Sequence, residues 1–149
     1  TSAPEAIATG IRHAGPDDVS FVLSTWLRHY RNSSNFAKSI RSSVFFLHHH
    51  PLAEKVVERA AVLVAHDLEE PTTIYSYLIA ETFPEVGGPV VHFAYTKPSF
   101  RRLGLMRKLF DFAGIDPNAI IFTHLSEDAM ALKKKFPEAI YDPYLFLCT

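Results

Sequence analysis

The side chains able to do chemistry concentrate between Glu81 and His124. Arg101, Arg102 and Arg107 surround Gly104 in the run TKPSFRRLGLMRK. Three cations around a glycine suit a polyanion if the run opens a helix. A helix start offers unpaired N–H groups and a partial positive charge, and phosphates bind there readily. Gly104 has no side chain to keep a ligand off the main chain. The competing reading is an ordinary strand-to-helix connection with a solvated basic turn, and the local pattern leaves both open. Three further groups draw notice: His92 and His124, which titrate near neutrality, and Glu81. A histidine packed against a sheet, or a solvated strand end, is the plain alternative for each.

These groups need a frame, and the hydrophobic periodicity supplies one. VVHFAY, from Val90 to Tyr95, alternates as a strand does. Pro98 punctuates the loop that follows. From Leu103 the period changes: Leu105, Leu109 and Phe112 lie on one side of a helix with Met106 and Phe110 beside them, and Gly114 is a stop. Upstream, Ala61–His66 and Thr73–Ala80 read as an antiparallel hairpin, and the turn from Pro84 to Pro89 extends it into a three-strand meander. Downstream, Ala119–Thr123 is a further strand, and the helix crossing to it implies parallel pairing. Ser126 opens another helix that Pro137 ends. Ala139–Thr149 reads as one strand broken near Asp142-Pro143. At the other end, Ile7–His13 suggests a first strand. Pro16-Asp17-Asp18 starts a helix carrying Phe21, Val22, Thr25, Trp26 and Tyr30. After a polar break at Arg31–Asn35, a second helical region runs from Phe36 to Ala60. Two pieces are expected there, Phe36–His49 and Leu52–Arg59, because Pro51 falls inside it. The fold class expected is α/β: a central mixed sheet flanked by helices, in a single domain spanning residues 1–149.

Composition bounds the function. The 149 residues suit one domain, and an apolar fraction of 48% is ample for a core. A net charge of -1 argues against a broad nucleic-acid or membrane surface. The one cysteine, Cys148, cannot form an internal disulfide and suggests a reducing compartment. No apolar run reaches membrane-spanning length and the first residues lack a signal-peptide pattern, so a cytoplasmic protein is expected. His48-His49-His50 is not expected to bind metal. Consecutive helical residues point about 100° apart, and no H-x-x-x-H spacing occurs.

The run Thr96-Lys-Pro98-Ser-Phe100-Arg101-Arg-Leu-Gly104-Leu-Met106 resembles the acetyl-CoA signature of the GNAT N-acetyltransferase superfamily. Pro98, Phe100, Arg101 and Gly104 fall in register with it. Thr96 stands where the family has Val, and Met106 where it has Gly or Ala. Ile11-Arg-His-Ala14-Gly-Pro-Asp17-Asp18 resembles the family's entry into its first helix, and the order of elements is similar through nearly the whole chain. The C-terminal end is short for the family's closing hairpin. An exposed sheet edge there makes a homodimer one expectation.

The resemblance implies direct transfer of an acetyl group from acetyl-CoA to an unidentified amine. Phe93, Ala94, Tyr95 and Thr96 would pair with the pantetheine arm. Arg101, Arg102, Leu103, Gly104, Leu105, Met106 and Arg107 would hold the pyrophosphate. The link between the first two helices implies acceptor contacts from Arg28, Tyr30 and Arg31. The amine must lose a proton to attack, so a base is needed, with His92, Glu81 and His124 as candidates. The family's helical phrase ending in Tyr is met by Ser126-Glu-Asp-Ala129-Met-Ala-Leu132-Lys133, which has Lys133 at that place. Hence a second reading: a catalytically weak or inactive acyl-CoA-binding or protein-interaction module on the same fold.

Overall fold

The computed structural model describes residues 9–83, 86 and 88–147. The expected strand start at Ile7, the turn residues Pro84, Glu85 and Gly87, and Cys148 lie outside them. The elements run β1 (Thr9–His13), α1 (Val19–Ser33), α2 (Asn35–Lys38), α3 (Ser42–Arg59), β2 (Ala61–Asp67), β3 (Ile74–Phe83), β4 (Gly88–Thr96), α4 (Leu105–Ala113), β5 (Ile121–Phe122), α5 (Glu127–Lys135) and β6 (Ile140–Tyr141). The six strands form one sheet in sequence order. Pairing is antiparallel from β1 to β4 and parallel from β4 to β6.

Each face of the sheet buries its own core. On one face, Val22, Trp26 and Tyr30 of α1 meet Phe45, Ala53 and Val56 of α3 over Val64, Tyr77 and Phe93. On the other, Leu105, Leu109 and Phe110 of α4 cover Leu63, Leu78, Val91 and Phe122. The entry to α1 is fixed by Asp18, which accepts hydrogen bonds from Arg12 (2.6 Å) and from the Gly15 N–H (2.7 Å). The Arg12 guanidinium holds the Asp18 carboxyl below the usual carboxylate range.

Four local readings need correction. The helix α3 runs unbroken through Pro51. Proline removes one hydrogen bond, but Phe45 lies before it and Ala53 and Val56 beyond it, all buried in the same core, and this packing holds the two halves in line. The break falls instead between α2 and α3. Strand β5 has only two residues, because Pro117–Ala119 forms a 3-10 turn that Asp116 caps. Strand β6 also has two. Pro143 cannot donate to a ladder, so the chain leaves the sheet as a 3-10 turn, Pro143–Leu147, which folds Phe146 into the α1–α3 core.

The fourth correction concerns His92. Alternation puts it on one face with Val90 and Ala94. In the structure Val91 pairs with Ala80 and Phe93 with Ile79, which leaves His92 as the extra residue of a bulge. A bulge re-aims side chains and bends its strand. Val91 and Ala94 therefore pack on the α4 side. The rings of His92 and Phe93 meet Phe146 (6.0 Å) and Trp26 (5.8 Å) on the other.

Candidate active site

The bulge also parts β4 from β5. The two strands pair only at Val90–Ile121 and Val91–Phe122, and the last bond is the Thr123 N–H to the Val91 carbonyl (3.2 Å). From Phe93 onward β4 is paired with β3 alone. The N–H of Lys97 donates to the Tyr75 carbonyl (2.9 Å), so odd-numbered residues here face β3. By alternation the main-chain N–H and C=O of Ala94 face the open side. An unpaired strand edge inside a protein can pair with an extended ligand.

A cleft of about 470 Å³ fills this opening. Its floor is β4, through Val91 to Ala94 and Thr96, and its walls are α4 and α5, through Phe110, Ala129 and Leu132. One end is the start of α4. Gly104 caps the helix with φ 78°, a left-handed conformation that favours glycine. The first helical bond is made by the Lys108 N–H to the Gly104 carbonyl (3.1 Å). The N–H groups of Leu105, Met106 and Arg107 thus precede the ladder and have no helical acceptor. A Cβ built on Gly104 would meet no atom within 4 Å, so the space over this backbone is open. Arg101, Arg102, Arg107 and Lys135 are the cations that line the cleft. Arg101 donates to the Thr96 carbonyl (3.2 Å) and lies 3.7 Å from Asp128. Asp128 in turn pairs with His29 of α1 (3.1 Å), and that bond, with Arg101 nearby, holds its carboxyl below the usual range.

At the closed end the polar side chains are buried. His92 and His124 both line the cleft. Glu81 does not, but its Oε2 lies 2.5 Å from His92 Nε2, and Arg59 Nε donates to both its oxygens (3.0 and 3.1 Å). Burial pushes His92 below its ordinary value, partly opposed by the Glu81 carboxylate. Burial pushes His124 well below its own, with His49 and His92 adding to it. Aromatic rings pack around His124: Phe146 at 4.4 Å, Tyr30 at 4.6 Å and Trp26 at 5.2 Å between centroids.

The residues expected to hold a cofactor divide as follows. Phe93, Ala94, Thr96, Arg101, Arg102, Gly104, Leu105, Met106 and Arg107 line the cleft. Tyr95 faces α1, against His29 and Tyr77 (5.4 Å each). Leu103 packs into the α4-side core. Of the three residues expected at the acceptor, Arg28 is exposed on α1, and Arg31 ties α1 to the turn before α3 by donating to the Ile40 carbonyl (2.9 Å). Tyr30 is buried beside His49 and His124. None of the three lines the cleft. Lys133, at the place of the family's tyrosine, donates to the Ala139 carbonyl (2.7 Å) and so fastens α5 to the chain after it. Sequence reasoning missed Thr123, His49 and Asp128. Thr123 adjoins His124, but its bond to His92 and the partners of His49 and Asp128 come from other elements, so nothing local signals them.

No protein-family model matches the sequence, and no curated protein matches it. Solved structures do match. The chain is similar to a GCN5-related N-acetyltransferase from Ralstonia eutropha JMP134, with TM-score 0.59 and 15% identity over 86% of this chain and 90% of that one. This is the GNAT acetyltransferase fold. The PaiA N-acetyltransferase from Thermoplasma acidophilum, solved in complex with coenzyme A, gives 0.52 and 11% over 87% and 74%. The apo form of YjaB from Escherichia coli gives 0.50 and 16% over 72% of this chain, which spans 65% of the YjaB chain. At these identities it is the GNAT fold that is common to them. No helix among the described residues is long and apolar enough to cross a membrane.

Proposed function

We propose that the protein is an N-acetyltransferase that moves an acetyl group from acetyl-CoA directly to an amine. One observation carries the reading: the opening between β4 and β5 runs from a buried pair of histidines to a helix start with free N–H groups and three arginines. An extended amide-bearing arm suits the free edge at Ala94, and a pyrophosphate suits the start of α4. The thioester would then lie near Phe93 and His124, away from bulk water. Arg101 would exchange Asp128 for a phosphate oxygen, a charge-assisted contact.

Calorimetric titration with acetyl-CoA, with CoA alongside, tests this. Saturable binding is expected, weakened about tenfold or more in Arg101→Glu and Arg107→Glu and by added salt. No binding at millimolar ligand would sink the reading. The second reading, a binding module without turnover, is favoured by Lys133, whose ammonium is engaged with a carbonyl where the family has tyrosine. Binding of acetyl-CoA without thiol release across a panel of amines would select it.

A further inference from the structure

The hydrogen bonds around the two cleft histidines form a single file. Glu81 Oε2 lies 2.5 Å from His92 Nε2, and His92 Nδ1 lies 3.0 Å from Thr123 Oγ1. The same Thr123 oxygen lies 2.8 Å from His124 Nδ1, and His124 Nε2 lies 3.0 Å from His49 Nε2. His92, Thr123 and His124 are all buried. The file joins β3, β4, the residues after β5, and α3.

Its donors follow from its ends. Arg59 donates to both Glu81 oxygens, so the carboxylate accepts from the N–H at His92 Nε2. Burial lowers the His92 pKa against the pull of Glu81, and in the neutral ring with its proton on Nε2 the bare Nδ1 accepts the Thr123 hydroxyl. A hydroxyl has one proton, so the Thr123 oxygen accepts from the N–H at His124 Nδ1. His124, also neutral, keeps its lone pair on Nε2, and the Nε2–H of His49 donates to it. Every bond is thus oriented toward Glu81. His49 is the one member carried outside the sheet and its following loop. It is half-buried on α3, and its ring is held by stacking on Phe45 (4.8 Å) and Phe146 (4.9 Å).

We propose, resting on the acetyl-transfer reading above, that His124 Nε2 is the base of the reaction. Thr123, His92 and Glu81 are positioning residues that hold its tautomer, and His49 occupies its lone pair until an amine takes that place. The amine nitrogen bonds to the acetyl carbon, the C–S bond breaks, and the electron pair leaves on sulfur. Of the two protons the ammonium gives up, one goes to His124 Nε2 and later to solvent. The other ends on the thiolate, giving CoA thiol and the amide. Behind His124, the Nδ1–H bond to Thr123 steadies the imidazolium, as an orienting partner does in a nucleophile–base pair.

Two nucleophiles separate this role from a structural one. Benzylamine is an ammonium ion at neutral pH and needs a base; hydroxylamine is already neutral. Thiol release from acetyl-CoA is followed with each. In Thr123→Val, which keeps shape and removes the hydroxyl, the benzylamine rate is expected to fall about 100-fold while the hydroxylamine rate stays within about threefold. In His49→Phe, which keeps the stacking and leaves the His124 Nε2 lone pair unoccupied, the benzylamine rate is expected to rise. Equal loss with both nucleophiles in Thr123→Val would overturn the proposal. So would a benzylamine loss in His49→Phe as large as that of Thr123→Val, or wild-type turnover of hydroxylamine but not benzylamine. Imidazole 15N NMR gives a readout independent of turnover. His92 is expected protonated at Nε2 and His124 at Nδ1, with His124 switching to Nε2–H in Thr123→Val. The opposite tautomers in the wild-type protein would overturn the file itself. Correct tautomers with no turnover of either nucleophile would instead locate the failure in the acetyl-transfer reading, and the base assignment would fall with it.

Discussion

His49 ties the polar file to the acid stability of the protein. Burial lowers its pKa from 6.5 to about 4. The unfolded chain therefore binds this proton first, and between pH 6.5 and pH 4 it holds more protons than the folded one. Stability is then full above the unfolded value and falls as pH drops through that window, by at most about 3 kcal/mol from this residue. His124 is shifted the same way and adds to the slope. Thermal melting across the window should show Tm falling with pH, less steeply in His49→Gln. An unchanged slope in that variant would mean that His49 is accessible to protons in the folded state. Asp18 acts at lower pH. Its carboxyl is depressed by Arg12, so the stability it contributes is present above the ordinary carboxylate range and is lost below it.

Among the elements, α4 shows where backbone conformation and binding can be separated. Gly104 and Gly114 bracket the helix with φ 78° and 72°, and a Cβ at either position would meet no atom within 4 Å. Substituting alanine costs backbone strain alone, about 1–2 kcal/mol at each end. Both variants should therefore melt a few degrees lower. Only Gly104→Ala should weaken acetyl-CoA, because only that end faces the cleft. Equal affinity in the two variants would remove the helix start from the site. The order of these elements was legible because periodicity changes from 2 to 3.6 at each junction, as it does between Tyr95 and Leu105. The continuity of α3 through Pro51 was not legible, since proline's local penalty says nothing of the packing on either side of it. Nor was the bulge at His92. Its register is set by Ala80 and Ile79 on the neighbouring strand, and a sequence pattern carries no record of a partner's register. The arginines and Gly104 could be found locally, because a helix start is built from consecutive residues. The polar file could not: His49 and His124 are 75 positions apart, and His92 and Thr123 are 31 apart.

At the scale of the whole molecule the sheet is a divider. Its α4 side has the cleft, its α1–α3 side the ring cluster, and the two meet where β4 and β5 part. An edge remains at β6, where Ile140 and Tyr141 are both exposed. A homodimer that covers it stays a proposal, which sedimentation of the purified chain would test. The parting of the strands has one more consequence. The only tryptophan in the sequence, Trp26, stands at this passage, 5.8 Å from Phe93 and 5.2 Å from His124 between ring centroids. The molecule therefore carries its own fluorophore at the point where the two sides meet. A charged imidazole quenches indole emission and a neutral one does so far less. Light emitted from this one ring should accordingly dim as His124 gains a proton and shift as the passage fills, so that occupancy and protonation can be followed without any label.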